Sequence, residues 1–101
     1  MPLKKNLDTN HFESVINKGV TLVDFSAQWC APCRAQQPII EKLSKTFKGR
    51  TASVVIDVDE HHKIAMQLGI ASIPTLIIFK NGKEVKRFVG LQGEKKLSEA
   101  I

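Results

Sequence analysis

Val20-Thr21-Leu22-Val23-Asp24-Phe25-Ser26-Ala27-Gln28-Trp29-Cys30-Ala31-Pro32-Cys33 runs from a strand-like segment into the start of a helix-like one. Its first six residues form a nearly continuous apolar run, the mark of a central strand buried on both faces. Cys30 and Cys33 are the only cysteines in the chain. Thiols at this spacing can close an intramolecular disulfide, and a thiol at a helix start is readily ionised. A two-residue gap between cysteines beside a strand–helix–strand pattern is a signal for redox chemistry. The bland alternative is a pair of buried structural thiols.

Beyond the cysteines, Ile39, Ile40, Leu43 and Phe47 recur at helical spacing between Pro32 and Lys48, with Gly49 as the stop. Pro38 lies inside this helix, deletes a backbone hydrogen bond and is expected to kink the axis. Thr51 to Val58 is a second apolar strand. Residues 20 to 58 thus read as strand–helix–strand, which implies parallel pairing with a right-handed crossover. Upstream, Asp8 or Thr9 caps a first helix with Phe12, Val15 and Ile16 on one face and Gly19 at its end.

Downstream, a short helix near Glu60 to Leu68 closes at Gly69. Thr75 to Lys80 and Glu84 to Val89 then flank Asn81-Gly82, a strong hairpin signal. A last amphipathic segment, Glu94 to Ile101, puts Leu97 and Ile101 on one face; being short and terminal, it is expected to fray. Met66, Leu68 and the isoleucines read as core. The pattern is α/β, a mixed sheet with helices on both faces.

The 101 residues suit a single domain, 1–101, with one core. A hydrophobic fraction of 43% and a charged fraction of 25% are ordinary for a globular protein. No run approaches the roughly 20 apolar residues of a membrane span. The first ten residues carry two lysines but no apolar stretch behind them, which argues against a signal peptide and for a cytoplasmic protein. In that compartment structural thiols stay reduced, so a passive staple is a poor reading of the two cysteines. A bridge over so short a loop would also remove little unfolded-state entropy. The net charge of +5 is spread over scattered clusters interleaved with acids, which argues against a nucleic-acid footprint and for steering toward acidic partners.

Several motifs now line up in order. They are Val23-Asp24-Phe25-Ser26-Ala27, Trp29-Cys30-Ala31-Pro32-Cys33, Pro38, Asp59, Gly69-Ile70, Ile73-Pro74-Thr75, Phe79-Lys80-Asn81-Gly82 and Val89-Gly90. Along nearly its whole length the chain resembles the thioredoxin family. The resemblance implies a thioredoxin fold, a central five-stranded mixed sheet flanked by four helices. It also implies a protein-disulfide reductase and dithiol electron carrier with no bound cofactor, re-reduced by a separate thioredoxin reductase. Two departures stand out. Ala31 replaces the commoner glycine, and Val55, two residues before Asp57, occupies a place that often holds a buried lysine.

The resemblance assigns roles to residues. Cys30, at the first turn of the helix where the dipole favours a thiolate, matches the exposed cysteine that attacks substrate disulfides. Cys33, one turn later and more buried, would resolve the mixed disulfide and leave Cys30 and Cys33 oxidised. Asp24 is the candidate proton acceptor for Cys33, because burial in an apolar strand raises its pKa toward a useful range. The competing reading is an aspartate hydrogen-bonded at a strand end. Without a lysine at position 55, Asp24 is expected to be harder to ionise than in lysine-bearing relatives. Pro32 brings no charge that favours the thiolate, so the pair reads as a reductant, and Ala31 is expected to alter the tuning little.

Pro74 resembles the family's cis-proline, and Ile73 before it would offer backbone to an extended substrate segment. Trp29, Ala31, Pro32, Ile73, Pro74, Val89 and Gly90 would form an apolar docking face. Ordinary strand packing explains Val89 equally well, and Gly90 is expected to allow another backbone to approach closely. Disulfide-containing proteins would be the targets, and a monomer is expected, with neither nucleic acid nor membrane as a partner. His61 and His62 read as a solvated face. A zinc site joining them to the cysteines is rejected, because they would have to reach the other end of the sheet and adjacent histidines diverge. Arg34 reads as solvated or as a steering charge. Two other functions compete: an oxidase or isomerase, which Pro32 disfavours, and a binding module in which the thiols are incidental.

Overall fold

The apolar run from Val20 becomes the central strand of the sheet. The computed structural model describes residues 4–5 and 9–101. In chain order these form β1 (Lys4–Lys5), α1 (Thr9–Ile16), β2 (Val20–Ser26), α2 (Ala31–Thr46), β3 (Thr51–Asp57), α3 (His62–Gln67), β4 (Thr75–Lys80), β5 (Lys83–Val89) and α4 (Glu94–Ala100). The sheet order is β1-β3-β2-β4-β5. β1 is a two-residue edge strand parallel to β3, so four strands carry most of the sheet. β2 pairs parallel with β3 and antiparallel with β4, which places it between its neighbours with both faces covered. The expected cap at Asp8 lies outside the described residues.

Alternation along β2 sorts the side chains into two cores. Val23 and Phe25 join Phe12, Ile16, Ile56, Ile64, Ile77 and Phe79 beneath α1 and α3. Leu22 joins Ile40, Leu43, Leu76, Ile78, Phe88 and Leu97 beneath α2 and α4. Asp24 shares the parity of Leu22, so its carboxyl points to the α2 side. α2 continues through Pro38 to Thr46.

Met66 departs from the core reading, being 74% exposed. At about 100° per residue, a position two beyond the buried Ile64 has turned away from the sheet. Leu68, Ile39, Ile70, Ile73 and Ile101 are only partly buried. α3 is also shorter than its sequence pattern suggests, with Leu68 as its C-cap.

At the other end of the sheet, Asn81 (φ 52°) and Gly82 (φ 85°) form the two-residue turn between β4 and β5. Positive φ at both positions matches the strand twist and is why Asn-Gly is favoured there. This tip is stitched to the α1–β2 connection. Gly19 N–H donates to Asn81 Oδ1 (2.9 Å), Asn81 N–H to the Gly19 carbonyl (2.9 Å) and Gly82 N–H to the Ile16 carbonyl (2.8 Å). The register of the hairpin shifts between Ile78 and Phe79, where Val85 is the extra residue of β5.

Candidate active site

β2 ends at Ser26, and the turn after it delivers Cys30 to the N-terminus of α2. Cys30 N–H donates to the Ala27 carbonyl (3.2 Å). Cys30 is the N-cap of α2 in an extended conformation, and its Sγ accepts a hydrogen bond from Cys33 N–H at 3.2 Å. The cap position normally holds Ser, Thr, Asp or Asn, so here a sulfur takes the place of the oxygen. Cys30 and Cys33 are joined in a disulfide, with Cα atoms 5.2 Å apart. Ala31 and Pro32 lie exposed between them.

The expected exposure of Cys30 is corrected by the structure. In the disulfide form Cys30 is 4% exposed and Cys33 1%, packed with Ala27 against Val58 and Ile73. The Cys30 Sγ lies 3.9 Å from the Ile73 carbonyl oxygen. The Ile73–Pro74 peptide bond is cis. Gly90 N–H donates to the Pro74 carbonyl at 2.8 Å, and Val89 pairs with Thr75. Ile73, Pro74, Val89 and Gly90 therefore gather on one rim beside the disulfide. Gly90 has φ 93°, and a Cβ there would meet nothing within 4 Å. Backbone conformation, rather than a close neighbour, is the reason for this glycine.

Trp29, the residue before Cys30, stands 69% exposed, and its indole N–H donates to Asp59 Oδ2 at 2.8 Å. Asp59 is itself positioned by the turn after β3, where Asp57 Oδ1 accepts from the N–H groups of Asp59 (2.8 Å) and Glu60 (3.3 Å). Two features escaped the sequence reading: the bond that holds Trp29, and the half-exposed Leu91 beside Gly90. Arg34 is exposed, and its guanidinium donates to the Gln28 carbonyl at 2.9 Å.

Asp24 is fully buried, and neither carboxylate oxygen has a hydrogen-bond partner. It lies mid-strand, opposite Val55 on β3 and Leu76 on β4, so the strand-end reading fails. Burial pushes its pKa from 3.8 up to about 7. Val55 holds the neighbouring register position, and its side chain offers no charge to offset that desolvation. Beside it a cavity of about 200 Å³ opens, lined by Ser26, Cys33, Arg34, Gln37, Val55 and Asp57 among others. Gln37 Oε1 is likewise buried without a partner. Helical periodicity gave no sign of Gln37, since a glutamine in a helix usually reads as surface.

The zinc argument also needs correcting. β3 is parallel to β2, so its end and the start of α3 lie at the disulfide end of the sheet. His61 N–H donates to the Asp57 carbonyl there at 2.9 Å. His61 is half-buried with Nε2 unpartnered, while His62 is exposed, so only His62 fits a solvated face. Among the described residues no group of three His, Cys, Asp or Glu side chains is placed to hold a metal ion. Among them, too, no helix is long and apolar enough to cross a membrane.

A disulfide spanning the first turn of a helix, with its first sulfur against the carbonyl of a cis Ile73–Pro74 peptide, makes the chain a thiol–disulfide oxidoreductase. The thioredoxin family profile matches residues 3–101, and the chain belongs to that family. A thioredoxin of Staphylococcus saprophyticus is 42% identical over 101 residues, covering 100% of this chain and 96% of that protein. A solved mutant thioredoxin from Halobacterium salinarum superposes with TM-score 0.91 at 34% identity, covering 98% of this chain and 87% of that one. A chain solved in work on thiol resolution of a yeast mitochondrial 1-Cys peroxiredoxin by the glutathione and thioredoxin systems gives 0.89 at 27% identity, covering 98% and 92%. The protein is a protein-disulfide reductase and dithiol electron carrier acting by thiol–disulfide exchange. Its redox group is the Cys30–Cys33 disulfide.

Proposed function

We propose that Cys30 attacks, Cys33 resolves and Asp24 accepts the proton, with Trp29, Ile73, Pro74, Val89 and Gly90 as the docking face. The Cys30 thiolate attacks one sulfur of a substrate disulfide, forms the mixed disulfide and expels the first substrate thiolate. Cys33 then passes its proton to Asp24, directly or through water. The Cys33 thiolate attacks Cys30 Sγ and expels the second substrate thiolate. Two electrons reach the substrate, two protons balance its thiols, and Cys30–Cys33 closes. The carrying observation is Cys30 Sγ itself, which caps α2 and lies against the Ile73 carbonyl.

Ala31 and Pro32 put no positive side chain between the two cysteines, which supports a reducing potential. A single unit, residues 1–101, acts as a cytoplasmic monomer on disulfide-containing proteins and is reloaded by a thioredoxin reductase. The yeast chain's link to a peroxiredoxin and the thioredoxin system supports targets of this kind. The test is the reduction potential, measured by equilibration against defined thiol–disulfide buffers. A value near the thioredoxin reference of about −270 mV is expected, whereas one above roughly −200 mV would belong to an isomerase or oxidant.

A further inference from the structure

Gln36 is completely buried one turn beyond Cys33 on α2. Its amide makes a two-way pair with the backbone of a residue far along the chain. Gln36 Nε2 donates to the Gln92 carbonyl at 3.0 Å, and Gln36 Oε1 accepts from Gln92 N–H at 2.8 Å. The side chain thus serves the β5–α4 connection as one more peptide unit would. The Gln92 side chain turns back along the same loop, its Nε2 donating to the carbonyls of Val89 (3.3 Å) and Gly90 (3.2 Å). Gly90 N–H in turn donates to the Pro74 carbonyl at 2.8 Å. One chain of hydrogen bonds therefore runs from the helix that carries both cysteines to the loop and cis-proline that rim them.

We infer that Gln36 and Gln92 are positioning residues that set the Val89–Gly90–Leu91 segment for recognition of a protein substrate. Neither touches the reacting sulfurs. The inference rests on the docking face proposed above. A buried amide paired on both sides holds one geometry, because leaving either partner unpaired costs far more than the pair itself contributes. Replacing Gln36 with an apolar side chain of similar length frees the Gln92 backbone, so the loop reorients toward water. A large substrate that lies along the rim loses its preset surface. A small disulfide needs only the sulfur.

The experiment is single-turnover oxidation of the fully reduced chain, followed by quenched thiol titration, with insulin and with bis(2-hydroxyethyl) disulfide. Gln36→Met is expected to raise the half-saturating insulin concentration about 10-fold, with the limiting rate and the small-disulfide rate within about twofold of the parent. Gln92→Ala keeps the backbone pair and removes the two weaker bonds. It is expected to give a smaller shift of the same kind, and it decides the matter if Gln36→Met fails to fold. Val89→Asp reports on the docking face alone. If Val89→Asp weakens insulin binding while both glutamine variants match the parent, the inference is wrong and the docking face stands. No effect from Val89→Asp removes the docking face and the inference with it. Equal losses on both substrates would make the glutamines merely structural and would also overturn the inference.

Discussion

Cys30→Ser will reduce no protein disulfide above the uncatalysed background, while Cys33→Ser will form one mixed disulfide per chain and stop. The asymmetry follows from placement. Cys30 Sγ caps the positive end of α2 and lies against the Ile73 carbonyl, whereas Cys33 sits one turn into the helix and is 1% exposed. Without the first sulfur no attack begins. Without the second, the intermediate has no internal nucleophile to release it. Mass spectrometry under non-reducing conditions after mixing with a disulfide substrate reads both outcomes. Substantial turnover by Cys30→Ser would sink the assignment, and a mixed disulfide mapped to Cys33 in the parent would reverse the roles.

The second large effect concerns stability against pH. Asp24 has its pKa raised from 3.8 to about 7 in the folded disulfide form, by burial. Between those values the native chain keeps a proton that the unfolded chain has lost. This stabilising contribution is complete below about pH 4, declines as pH rises and is gone above about pH 7. The gap corresponds to about 4 kcal/mol, a large share of a small domain's stability. Asp24→Asn removes the titration, so the variant should be less pH-dependent and the more stable of the two above pH 7. Urea unfolding of both oxidised proteins at pH 4, 6 and 8 gives the difference directly. Identical pH slopes would show that Asp24 does not titrate in this range. Val55→Lys, which puts a cation in the adjacent register position, should lower the Asp24 pKa and flatten the parent's slope. A steeper slope would contradict that pairing.

The same two sites show how far local pattern reaches. The Val20–Phe25 run, the helix after Cys33 and the Asn81-Gly82 turn each carry their signal within a few residues, and all form as read. Asp24 is conspicuous in the sequence, yet its side of the sheet follows from strand parity, and its lack of partners becomes visible only with β3 and β4 alongside. β1 is two residues long, too short for any period to show, and was expected from family resemblance alone. Met66 misled because an apolar residue in a short helix has too few turns around it to reveal which face is buried. Gln36 gave no warning at all. Its partner lies 56 residues away, and a glutamine in a helix looks solvated until the β5–α4 loop is packed against it. Contacts that close over long stretches of chain are where the site is completed, and no local pattern contains them.

The burial of the Cys30 sulfur in the oxidised chain has a kinetic meaning. A dissolved small thiol finds almost no line of approach to an atom covered by Ala27, Val58 and Ile73. Thiol–disulfide exchange depends on access as well as on driving force. Reloading of the oxidised pair by dissolved small thiols is therefore expected to be slow, and a partner protein that shifts this cover while presenting its own thiol is expected to reload it faster.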